Sequence, residues 1–148
     1  MMVDYKCVNQ LTSTQAAYVA GLVDADGSIS LTRRHRNENR QLVLSISNTD
    51  FDLLRQVNII VGAGRITKKR TYSQHHTPSG EYKIENRQAL ELIRQMAPHL
   101  RTYKARRADL ALSDYVRLTP RNGRYTKDIV RERSKFVQEF LALNPSRR

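Results

Sequence analysis

Two carboxylates one residue apart, Asp24 and Asp26, close a run of small and apolar residues, Ala16-Ala17-Tyr18-Val19-Ala20-Gly21-Leu22-Val23, just ahead of Gly27. The apolar run reads as a helix that stops at the glycine, so both acids stand near the negative end of its dipole. Acids gathered there repel one another and the helix end alike. A hard divalent cation with oxygen ligands relieves both costs, and Mg²⁺ suits one or two carboxylates completed by substrate phosphate. Mn²⁺ or Ca²⁺ can occupy the same kind of site. A frayed helix end solvated by two aspartates would carry the same residues.

What positions these acids is legible upstream. Thr12-Ser13-Thr14-Gln15 has the spacing of a capping box, predicting a helix over about 12–26. Small residues recur four apart along it, at Ala16 and Ala20, Ala17 and Gly21, and Gly21 and Ala25. Such pairs let a second backbone approach closely. An identical subunit across a two-fold axis would bring the same helix ends together, with Ala17, Ala20, Gly21 and Asp24 at the contact.

Further along, Ser28–Arg36 and Gln41–Ser47 alternate like strands, joined across Asn37-Glu38-Asn39. Asp50 and Asp52 mark a helix start and Gly62 its end. A second hairpin is predicted from Arg65–Tyr72 and Glu81–Glu85 across Pro78-Ser79-Gly80. Helices follow over about Asn86–Met96, Arg101–Val116 and 126–143, the last with Ile129, Val130, Phe136, Val137, Phe140 and Leu141 on one stripe. The chain, 1–148, reads as a single α+β domain with one antiparallel sheet backed by helices on one face. The uncovered face would present Ser30, Thr32, Arg34, Arg36, Gln41, Ser45, Ser47, Arg65, Thr67, Lys69, Glu81, Lys83 and Glu85. Long donors among short hydroxyls suit base edges in a DNA major groove, and an ordinary solvated sheet face looks similar.

Composition agrees with a polyanionic partner. The 148 residues carry 26 Lys+Arg against 14 Asp+Glu, a formal net charge of +12. Residues 101–148 hold 13 of those bases against 5 acids. Such a chain attracts nucleic acid or an anionic surface. Its single cysteine excludes an internal disulfide or a cysteine zinc cluster, and its four histidines lack zinc-ligand spacing. No apolar run has membrane-spanning length and the start lacks a signal-peptide pattern. The expectation is an intracellular protein of cytoplasm or organellar matrix, not secreted and with no membrane partner.

Val19-Ala20-Gly21-Leu22-Val23-Asp24-Ala25-Asp26-Gly27 resembles the LAGLIDADG motif. The likeness extends to Ile46-Ser47-Asn48-Thr49-Asp50, to Val61-Gly62-Ala63-Gly64-Arg65-Ile66 and to Ala97-Pro98-His99-Leu100 with Lys104 beyond, about Thr12 to Tyr115. The motif occurs once, as in family members that act as homodimers. The resemblance implies an αββαββα core with a saddle-shaped antiparallel sheet, followed by C-terminal helices. It implies a Mg²⁺-dependent, intron-encoded homing endonuclease that cuts both strands of a long near-palindromic DNA site and leaves short 3′ overhangs. By the same resemblance Asp26 and the Ala25 carbonyl are metal ligands and Asp24 is a support near the helix pair. Asp50 orients metal-bound water, and Lys104, with Arg101 as competitor, stands near the scissile phosphate. The same scaffold also serves maturases, which bind intron RNA and assist splicing without cleaving. A regulator that keeps the fold and loses the chemistry is a third possibility, less favoured because Asp26 is intact and no helix-turn-helix segment is appended.

Overall fold

A computed structural model describes residues 7–70 and 73–145. The order is α1 (Ser13–Asp26), β1 (Gly27–Thr32), β2 (Gln41–Asn48), α2 (Phe51–Val61), β3 (Arg65–Lys68), β4 (Gly80–Glu85) and α3 (Asn86–Met96), then a 3-10 turn (Ala97–His99), α4 (Lys104–Asp114) and α5 (Lys127–Ala142). The αββαββα order is as expected. All strand pairs are antiparallel, in the spatial order β1-β2-β4-β3.

Local chemistry explains the boundaries. At α1 the capping box is complete: Thr12 Oγ1 accepts from the Gln15 amide, and Gln15 Oε1 accepts from the Thr12 amide. Its C-terminal end turns straight into β1 because Gly27 has no side chain. A Cβ there would stand 2.7 Å from both the Ser45 carbonyl oxygen and Val23 Cα. Asp50 caps α2 by accepting from the Asp52 and Leu53 amides, and Gly62 ends that helix at φ +78°, a conformation that costs glycine little.

Leu42, Leu44 and Ile46 of β2 are fully buried, as are Ile29 and Leu31 of β1 and Tyr82 and Ile84 of β4. They meet Val19, Ala20 and Val23 of α1, Leu54 and Val57 of α2, and Leu92, Ile93 and Met96 of α3 in one apolar cluster. Phe136 and Phe140 of α5 join it. Helices therefore cover one sheet face, and the period-2 alternation leaves the other free.

Three boundaries and one buried stripe differ from expectation. Strand β1 ends at Thr32, so Arg34 and Arg36 lie in the following loop. Strand β3 ends at Lys68, leaving Lys69 just beyond it, and Tyr72 falls outside the described residues. Helix α4 begins at Lys104 rather than Arg101, and the Arg101 and Thr102 amides of the preceding turn donate to the Asp24 side chain. On α5 the buried line is Arg133, Phe136 and Phe140, while Val130 is half-exposed. A step of about 100° per residue carries Val130 off the line through Ile129, Arg133 and Phe136.

Candidate nucleic-acid interface and active site

The two aspartates at the end of α1 have different surroundings. Asp24 Oδ2 accepts from the Arg101 amide at 2.9 Å. Its Oδ1 accepts from Thr102 Oγ1 at 2.6 Å and the Thr102 amide at 3.3 Å. Asp24 thus fastens α1 to the turn that launches α4, within one chain. Asp26 is exposed, and its carboxylate receives one described hydrogen bond, from Asn48 Nδ2 to Oδ2 at 3.1 Å.

Asn48 ends β2, and antiparallel pairing of Gly27 with Ile46 carries it alongside the end of α1. Its Oδ1 also accepts from the Asp50 amide at 2.8 Å. This residue was missed as a site candidate. It lies inside the Ile46–Asp50 segment, yet only the strand register sets it against Asp26. Asp50, expected to orient water, has Oδ1 engaged as the α2 cap, accepting from the Asp52 and Leu53 amides.

Lys104 is only 7 % exposed and donates from Nζ to the Val23 carbonyl at 2.8 Å and the Asp24 carbonyl at 3.0 Å. The last carbonyls of a helix lack intrahelical donors; at the negative end of the α1 dipole this ammonium serves the Asp24 carbonyl and adds a second bond to the Val23 carbonyl, which already accepts from the Gly27 amide. Burial pushes its pKa below the ordinary lysine value, while Asp24 and Asp26 pull it back up. Arg101 is exposed beside Asp24.

On α1, Ala17, Gly21 and Ala25 are exposed and in line, flanked by the half-exposed Tyr18. A Cβ built on Gly21 would have nothing within 4 Å. Ala20, expected with them at a subunit contact, is instead completely buried in the chain's own core. It sits one position off the Ala17–Gly21–Ala25 line, about 100° round the helix. Asp24, expected at the same contact, spends its carboxylate on the turn before α4.

The open sheet face forms cross-strand rows. Thr32 faces Gln41, and Ser30 faces Val43 and then Glu85. Ser28, Ser45, Lys83 and Arg65 share a row, with the Ser28 and Ser45 hydroxyls 3.0 Å apart. Ser47, Glu81 and Thr67 form the next. Arg65 pairs with Glu85 at 2.6 Å, and Glu81 pairs with Lys83 at 3.2 Å and Lys69 at 3.9 Å. The Arg65 guanidinium, aided by Lys83 and Arg34, holds the Glu85 carboxyl below the usual carboxylate range against the opposing effect of burial.

Among the described residues no group of three or more His, Cys, Asp or Glu side chains is placed to hold a metal. The exposed Asp26 carboxylate and nearby main-chain oxygen are hard donors of the kind that suit Mg²⁺ or Ca²⁺. No helix among the described residues is long and apolar enough to cross a membrane.

A four-stranded antiparallel sheet with helices on one face, entered from a helix that ends in acids, defines the LAGLIDADG class of fold. Residues 13–108 match the model of the LAGLIDADG-like domain, and the chain belongs to that family. No curated protein sequence matches it. Among solved structures, it resembles the homing endonuclease I-CvuI in complex with its target in 2 mM Ca. The TM-score is 0.72 at 19 % identity, over 92 % of this chain and 85 % of that one. I-CvuI with the I-CreI target in 2 mM Mg, its DNA not cleaved, gives 0.70 at 20 % identity, over 91 % and 85 %. The archaeal intron-encoded homing endonuclease I-Vdi141I complexed with DNA gives 0.61 at 15 %, over 91 % and 87 %. At such identities the likeness is one of fold.

Proposed function

We propose that the chain is one subunit of a homodimeric, Mg²⁺-dependent homing endonuclease that hydrolyses both strands of a long, near-palindromic DNA site and leaves short 3′ overhangs. The observation that carries this reading is the contrast at the end of α1: Asp24 is fully engaged in structure, and Asp26 is exposed and aimed by Asn48. The exposed Ala17–Gly21–Ala25 line beside it supports an isologous contact between two α1 helices. That contact would bring an Asp26 from each chain to the axis and complete the half-site.

Asp26 and the Ala25 carbonyl would hold the divalent cation. Bound there, it would supply Lewis-acid stabilisation and a water of lowered pKa. Asn48 fixes the Asp26 carboxylate through Oδ2 and ties it to the start of α2 through the Asp50 amide. Arg101, whose amide binds Asp24, is exposed, and Lys104 keeps one ammonium proton beyond the two given to carbonyls. Both set positive charge where a phosphorane-like transition state gathers negative charge. Asp50 acts through its cap, which orients α2 behind Asn48. Ser30, Thr32, Gln41, Ser45, Ser47, Arg65, Thr67, Glu81 and Lys83 present donors and acceptors for base edges. The intramolecular ion pairs hold Arg65 and Lys83 in place before DNA arrives.

The experiment is cleavage of a duplex carrying the uninterrupted insertion site, with Mg²⁺, by the wild-type chain and by Asp26→Asn. The expected result is double-strand cutting by the first and binding without cutting by the second. Full cutting by Asp26→Asn refutes the mechanism. Selective binding of the host intron RNA with no DNA cleavage assigns the chain to the maturases instead.

A further inference from the structure

The first turn of α4 grips the chain on both sides of Asp26. Lys104 donates to the Val23 and Asp24 carbonyls, just before it. Arg107, three residues on and therefore on the same side of the helix, donates from Nη1 to the Ile29 carbonyl, just after it, at 2.8 Å. Strand β1 lies at the sheet edge, where main-chain acceptors have no neighbouring strand to serve them. The same guanidinium donates from Nε to the Leu143 carbonyl at the end of α5, also at 2.8 Å. It stands 5.2 Å from the ring centroid of Tyr103 and 5.1 Å from that of Phe140.

Arg107 is 8 % exposed and has no carboxylate partner among the described residues. A buried charge is weak support for stability, and well-packed apolar replacements are often neutral or better. What an arginine adds here is a planar fork that serves carbonyls of two separate elements through two different nitrogens. One of those elements, α5, lies outside residues 13–108 that match the family model.

Arg133 of α5 is a matched comparison. It is 5 % exposed and likewise without a carboxylate partner among the described residues. It donates to the Leu118 and Arg40 carbonyls and to Thr119 Oγ1. Arg40 precedes β2, so Arg133 secures the far end of β1, and none of these partners belongs to α1 or to the turn before α4.

We propose that Arg107 is a positioning residue for the cleavage site. By fixing the first turn of α4 to β1 and to the end of α5, it holds Lys104 and the Arg101–Thr102 turn against the end of α1, and so sets where the Asp26 carboxylate stands. Its effect on cutting rests on the endonuclease reading above; its effect on the structure around Asp24 does not.

The test compares Arg107→Gln and Arg107→Lys with Arg133→Gln in the full chain, each at the same interval below its own melting temperature. The first readout is amide hydrogen exchange without metal or DNA. The Arg101 and Thr102 amides, bonded to Asp24 in the wild type, should exchange about tenfold faster or more in Arg107→Gln, the order expected for losing a hydrogen bond from a charged donor. In Arg133→Gln they should exchange at the wild-type rate. The second readout is single-turnover cleavage of a duplex carrying the uninterrupted insertion site, at saturating duplex and Mg²⁺. Arg107→Gln should cut about a hundredfold more slowly, the cost of a ~1 Å misplacement at a reacting centre, with duplex affinity in Ca²⁺ unchanged. Arg133→Gln should cut at the wild-type rate. Arg107→Lys keeps the charge without the fork and should show both losses in smaller measure, which decides the matter if Arg107→Gln does not fold. Unchanged exchange at the two amides, or equal acceleration in Arg133→Gln, overturns the proposal. Wild-type cutting by an Arg107 variant whose two amides exchange fast overturns it as well. If the wild type cuts no duplex, the endonuclease reading falls, and hydrogen exchange still decides what Arg107 holds.

Discussion

Replacing Asp24 by asparagine tests whether the first aspartate is a structural clasp. In the wild type one oxygen accepts from the Arg101 amide and the other from the Thr102 amide and hydroxyl. An asparagine retains one acceptor, so it can serve Thr102 or Arg101 but not both, and its NH₂ then faces a backbone donor. Loss of a capping acceptor costs about 0.5–2 kcal/mol, and a hydrogen bond to a charged partner adds about 1.5–3 kcal/mol in well-shielded sites. With the turn partly exposed, about 1–2 kcal/mol is expected, or ~3–6 °C in melting temperature for a chain of this length. The assay is calorimetric or circular-dichroism melting of Asp24→Asn beside Asp26→Asn. The second should melt at or slightly above the wild type, since it removes an exposed charge from the negative end of a helix. If Asp24→Asn melts with the wild type, or if Asp26→Asn is the less stable of the two, Asp24 is not the structural member of the pair.

Gly21→Leu should fold, because a Cβ there meets nothing within 4 Å, yet sediment as a monomer and fail to cut; a cutting dimer would refute the α1 contact. Gly27→Ala should cost several degrees of melting temperature, because the new methyl is driven against main-chain atoms of β2 and α1; unchanged melting would show that the close approach does not matter. Arg65→Gln should let the Glu85 carboxyl rise toward the ordinary carboxylate range, as followed by NMR titration. Because Glu85 titrates low in the folded chain, its contribution is present above the unfolded carboxylate value and is lost as pH falls through the folded one. The variant should accordingly show a shallower loss of stability with acid, and an unmoved Glu85 would refute the cause assigned.

Much of the architecture was legible in residue order, because each boundary there is set by neighbours in the chain. Thr12 with Gln15 starts α1, Asp50 starts α2 and Gly62 ends it. Alternation in Gln41–Ser47 assigns Leu42, Leu44 and Ile46 to the core face. The errors came where a distant group intervened. Arg101 and Thr102 have sequence suited to a helix, yet they form the turn before α4, where Asp24 from the far end of α1 binds their amides. Arg133 interrupts an apolar stripe and is buried all the same, because main-chain oxygens from Arg40 and Leu118 await it.

The pair of aspartates at the end of α1 shows the same division. Sequence alone set them at a helix end, beside small residues four apart, and the resemblance chose Asp26 over Asp24 for the chemistry. Only the fold decided what each carboxylate touches. The strand register brings Asn48 to Asp26, and the path of the chain after α3 brings Arg101, Thr102 and Lys104 to Asp24 and the carbonyls behind it. Ala20 went to the core for a reason of the same kind: helical periodicity defines its line, but only packing against the sheet decides which line faces inward. Hydrogen-bond partners more than twenty residues apart are chosen by how strands pair and helices pack, and no local spacing encodes that choice.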